Sequence, residues 1–191
     1  MARFIRTRRY FPLSAIDSLA RQPKECRACS VEVERQRVKL RVISEEEALH
    51  LMAVPKRLPA GLEWKPRLNH AGHQALSCQF EDEDGALIPG LTLVIEIKAP
   101  IVVDRCLYLF TMLSFQRGAR HRAYQLEVAP QTRKTHNSPT ETLYGPHEHI
   151  GTECVRPVQD VCCGEFEGAF VFFAQKCAIA LPHNLPPLVL S

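Results

Sequence analysis

Leu91, Leu93, Ile95 and Ile97 alternate with Thr92, Val94, Glu96 and Lys98 in LTLVIEIK, and nothing else in the chain constrains its fold as strongly. A period of two puts four large aliphatic side chains on one face of an extended segment, and that face has to be buried. ALSCQFEDEDGALIPG leads into this run through a tight acidic turn at Asp84 and Gly85, which predicts a hairpin. LYLFTMLSF, which follows, is apolar on both faces and predicts a central strand covered on both sides. AYQLEVA returns to alternation, as a half-exposed neighbour would.

A cover for one face is available near the C-terminus. Phe166, Phe170, Phe173, Cys177 and Leu181 recur at three or four residues and predict an amphipathic helix. Upstream, LSAIDSLARQ (13–22) fits a short helix, and SVEVERQRVKLRVIS (30–44) alternates as strands with one wet face. Ser44 and Glu47 form a capping box that starts another helix over 44–54. From 55 to 75 three prolines, two glycines and Trp64 predict an extended connection. The predicted class is α+β, an antiparallel meander with packed helices, one of them C-terminal. Residues 1–75 read as an N-terminal helix and strand element, and 76–191 as the sheet with its C-terminal helix, the two together forming one compact domain.

With 46% hydrophobic and 24% charged residues among 191, the chain can bury a core and is no disordered tail. Its longest apolar runs are broken by Glu96, Lys98, Asp104 and Arg105, which predicts no membrane span. TRRYFPL (7–13) imitates a twin-arginine export signal, but Asp17 and Arg21 interrupt the segment after it. A cytoplasmic protein is expected. Most of the eight cysteines sit within apolar patterns or singly and read as reduced; Cys162 and Cys163 are adjacent and read as inert.

The segment THNSPTETLYGPHEHIGTE (135–153) carries the densest chemistry. In an extended PHEHIG, His147 and His149 project from one face and Glu148 from the other. Two imidazoles on one face suit metal binding or general acid and base work. His136 lies eleven residues upstream, and the turn at Asn137, Ser138 and Pro139 is placed to fold it back towards the pair. Arg117, Arg120, Arg122, Arg133, Lys134 and His121 flank the segment, and between 117 and 140 Glu127 is the sole acidic residue. Cations beside imidazoles suit a phosphodiester substrate, the cations holding phosphate and the imidazoles moving protons.

RAYQLEVAPQTRKTHNSPTETLYGPHEHIGTE, preceded by LYLFTMLSFQRGARHR and followed by FVFFAQKCAI, resembles a family of uncharacterised bacterial and phage proteins with a Pro-His-x-His-Ile strand. The likeness spans roughly residues 80–181, with Ala178 standing where that pattern has an asparagine. It is more distantly similar to TumE-like toxins of toxin and antitoxin pairs. What it implies is a strand meander, a site at His136, His147 and His149 with Arg122 on the preceding strand, and a toxin or defence setting. The His147, His149 and Glu153 spacing also resembles the first metal motif of cupin barrels, although Glu141 replaces the expected glycine and no second motif follows.

Three functional expectations result. The first is a metal-independent ribonuclease-type hydrolase acting on RNA, with His136, His147 and His149 catalytic, Arg122, Arg133 and Lys134 on phosphate, no cofactor, and a cognate antitoxin or other protein as partner. The second is a non-catalytic module binding a protein or nucleic acid, whose affinity falls on charge reversal at Arg120 or Arg133. The third is a metalloprotein, with His147, His149 and Glu153, joined by His136, as ligands. A structural zinc on Cys26, Cys29, His70 and His73 is a further alternative. Walker, dinucleotide and nucleophile-elbow motifs are absent.

Overall fold

Residues 43–67, 72–98, 105–116, 118–137, 142–152, 154–181 and 183–188 are described by the computed structural model. The expected helix at 13–22, most of the 30–44 strands, and Cys26, Cys29, His70 and Glu153 lie outside them. In chain order the elements are α1 (Glu45–Ala53), β1 (Lys65–Pro66), β2 (Gln74–Glu81), β3 (Leu87–Lys98), β4 (Leu107–Gln116) and β5 (Ala119–Val128). They continue with β6 (Lys134–Asn137), β7 (Thr142–Tyr144), β8 (His147–Ile150), β9 (Cys154–Pro157) and α2 (Phe166–Lys176).

Seven strands pair antiparallel in the order β1-β2-β3-β4-β5-β8-β9, while β6 and β7 form a separate ribbon inserted between β5 and β8. The antiparallel meander and the C-terminal helix agree with expectation. The balance of classes differs: among the described residues nine strands face two helices of nine and eleven residues, so the fold is mainly β. Strand β4 lies fourth of seven, and its two apolar faces reflect that position.

Local chemistry sets the element ends. Ser44 Oγ accepts from the Glu47 amide at 3.2 Å, and Glu45, Glu46 and Glu47 occupy the first turn of α1, where negative charge suits the helix dipole. In the β2–β3 turn Asp82 Oδ1 accepts from the amides of Asp84 and Ala86, and Gly85 takes φ +85°. The 55–75 connection is held at Arg57, which exchanges two backbone bonds with Glu81.

One sheet face packs on α1 and α2. Leu93, Ile95, Ile97, Phe110, Met112, Tyr124 and Leu126 are fully buried there with Phe170 and Phe173 of α2. Phe110 lies 5.5 to 6.0 Å, centroid to centroid, from Phe166, Phe170 and Phe173. Such aromatic contacts add about 1 kcal/mol each to area burial. Ile43, Ala48, Met52 and Leu58 join the same core, so the segment around α1 belongs with the sheet.

Two details depart from expectation. The stripe ends before Leu181, which is 45% exposed, because α2 stops at Lys176 in a Schellman turn. There Ile179 N donates to Ala174 O and Ala178 N to Gln175 O, with Ala178 at φ +51°. The second departure is a disulfide between Cys106 and Cys163, residues read as reduced and inert. A sequence separation of 57 hides the proximity created when the loop before α2 returns to the start of β4. Cys78, Cys154, Cys162 and Cys177 are free thiols.

Candidate metal centre

Strand β8 is buried at all four positions because it lies between β5 and β9 with both faces covered. Alternation sends Glu148 to the helix side, where its Oε2 accepts from Tyr124 Oη at 2.8 Å and lies 3.5 Å from Lys176 Nζ. His147 and His149 emerge on the opposite face. Their cross-strand neighbours are Glu127 and Pro157 for His147, and Gln125 and Val155 for His149.

The β6–β7 ribbon brings His136 back to this pair. His136 pairs with Leu143 across the ribbon, and Thr135 Oγ1 anchors the ribbon to Gly145 O at 2.9 Å. The His136 ring centroid lies 6.2 Å from that of His147 and 5.7 Å from that of His149. One ring nitrogen from each of the three histidines falls within 4.8 Å of the others. His147 Nε2 and His149 Nε2 are 2.9 Å apart, so one donates and the other accepts. The Nδ1 atoms of both are buried without a hydrogen-bond partner.

Electrostatics holds the pair neutral. Burial lowers His147 below its ordinary value, with the Gly145 carbonyl opposing and the charges of His136 and Arg122 adding to the effect. Burial pushes His149 down to about 3, helped by Arg122, His147 and His136. Neutral imidazole is the form that ligates metals.

Arg122 reaches this face through a β-bulge. Met112 pairs with Tyr124 and Leu113 with Arg122, leaving Ala123 as the extra residue. Simple alternation back from Tyr124 would aim Arg122 into the core; the bulge turns it to the histidine side. Its Nε donates to Gly151 O at 3.4 Å and its Nη1 to Gln125 Oε1 at 3.2 Å. Gln125 Nε2 in turn donates to Thr111 Oγ1 at 2.9 Å. Gly151 adopts φ +62°, and a Cβ there would sit 2.7 Å from Ile43 O, so only glycine suits the turn that presents its carbonyl.

Arg133 and Lys134 are exposed at the start of the ribbon, and the charge of Arg133 acts on Glu127. Burial raises the Glu127 carboxyl, while Arg133, Lys98 and His136 oppose the rise. Glu127 and Gln125 join this face although no sequence motif marks them as site residues. Their outward parity in AYQLEVA was visible, but their histidine neighbours depend on strand pairing across the inserted ribbon. Of the alternative zinc set, His73 is buried with its Nε2 3.8 Å from Glu96 Oε1. Its three proposed companions, like Glu153, fall outside the described residues.

No family model matches the chain, and no curated protein or solved structure is significantly similar to it. No helix among the described residues is long and apolar enough to cross a membrane.

Proposed function

We propose that the protein is a metalloprotein in which His136, His147 and His149 hold one divalent transition ion of the zinc class. The observation that carries this reading is the convergence of three ring nitrogens within 4.8 Å, from a strand and a ribbon separate in sequence. Ligand nitrogens about 2.0 to 2.1 Å from a tetrahedral zinc would lie roughly 3.3 Å apart. The 2.9 Å separation of His147 and His149 requires only a small opening to reach that value. Two buried imidazoles with no bonded carboxylate among the described residues make a poor proton-relay pair, while their facing Nε2 atoms are placed to share an ion.

Three protein ligands leave a fourth position open, the pattern of catalytic rather than structural zinc. A metal there supplies a Lewis acid and an activated water. Arg122 sits beside the histidines to hold negative charge, and Glu127, opposite His147 across the strands, is the nearby candidate for accepting a proton. RNA is the substrate class that cations beside the histidines favour, and the exposed Arg133 and Lys134 suit its phosphates. A metal-independent ribonuclease needs one imidazolium near neutral pH, and burial opposes that at both His147 and His149.

Incubation of purified protein with labelled RNA, with and without chelator, separates the two. The metal reading predicts cleavage that disappears with chelator, returns with zinc, and is absent in His147→Ala and His149→Ala. Cleavage unaffected by exhaustive chelation would return the histidines to direct proton transfer.

A further inference from the structure

Arg122 is a cation turned by a bulge onto a partly enclosed sheet face, and no acidic side chain among the described residues forms an ion pair with it. Its two hydrogen bonds go to neutral oxygens, of Gly151 and Gln125. Nη2 and the second N–H of Nη1 have no partner among the described residues. Gln125 is tied to Thr111, so the amide that orients the guanidinium is itself fixed. Among the described residues this half-buried cation, with free donors in a planar fork, meets no oxyanion, the group its geometry suits. Glu127, on the same face, forms no ion pair with Arg122 among the described residues, and its carboxyl is raised by burial against the opposing charges of Arg133 and Lys98.

We propose that this site binds a phosphate or phosphoester group, gripped by the Arg122 guanidinium while one of its oxygens occupies the open position over His136, His147 and His149. The inference rests on the metal centre proposed above and names the ligand chemistry of that centre. A divalent ion on the three imidazoles, next to Arg122, would concentrate positive charge with no carboxylate among the described residues bonded to either group, and a phosphate dianion would offset it. A second supporting feature is the exposed Arg133 and Lys134 at the ribbon's start, which extend the cationic surface for a longer phosphodiester chain.

The test uses the full chain loaded with cobalt(II), whose visible spectrum reports on its ligands, titrated with inorganic phosphate. Native protein should show a saturable spectral change. Arg122→Gln should take up cobalt equally but bind phosphate about tenfold or more weakly, and Arg122→Lys should fall between them. Far-ultraviolet circular dichroism checks that each variant is folded. Cobalt uptake followed by an identical phosphate response in native and Arg122→Gln protein would overturn this inference while leaving the metal centre standing. A failure of the native protein to take up cobalt would overturn both.

Discussion

His149 shows how a single buried residue links stability to pH. Its imidazole is held down to about 3 when folded, against an ordinary value of 6.5 when unfolded. Below the unfolded value the unfolded chain binds a proton that the folded chain refuses, so stability present above it is lost as pH falls towards the folded value. In metal-free protein the loss should approach about 1.4 kcal/mol per pH unit for each such histidine. Urea midpoints measured between about pH 6 and pH 4 should therefore fall steeply, and less steeply in His149→Leu. An unchanged slope in that variant would show that other groups dominate. Ala178 offers the opposite case, a residue in a backbone region that its side chain disfavours. Ala178→Gly or Ala178→Asn should raise stability by about 1 kcal/mol, read as a higher urea midpoint; a drop would place a packing role on its methyl group.

At the scale of elements, Lys56 joins the ends of the two helices. Its buried Nζ donates to Met52 O at 3.0 Å and to the carbonyls of Val54 and Cys177, so one ammonium caps both C-termini. Lys56→Met strands three carbonyls and should cost about 2 to 4 kcal/mol in unfolding free energy, with metal stoichiometry unchanged in the folded protein. None of this was legible in PKRLPAGLEW, where the lysine reads as surface. The strands themselves were legible, because alternation in LTLVIEIK and two-faced apolarity in LYLFTMLSF are direct records of burial. So were the Ser44 cap and the aromatic stripe of α2, both local signals. The end of α2 was not, since a Schellman turn with alanine in the left-handed position lacks the glycine that usually marks it. The histidine face followed from alternation in PHEHIG, whereas the contribution of Arg122 depends on the bulge at Ala123, which parity alone assigns to the wrong face.

At the scale of the whole molecule, two long-range links bind distant segments to the sheet. One is the Cys106–Cys163 disulfide, which ties the loop before α2 to the start of β4. Closing a loop of 57 residues stabilises by about 4 kcal/mol in the chain-entropy account. A reductant should lower the urea midpoint of native protein and leave Cys163→Ser unaffected; equal midpoints throughout would mean the thiols are unlinked in solution. The other link is the meeting of the β6–β7 ribbon with β8 through His136, His147 and His149, which makes the ribbon part of the site. Metal should therefore fasten it, with one ion held per chain. Elemental mass spectrometry on metal-free protein dialysed against limiting zinc should find about one ion per chain in native protein and almost none in the His147→Ala, His149→Ala double variant. Equal zinc in both, or none in either, would show that His147 and His149 hold no ion.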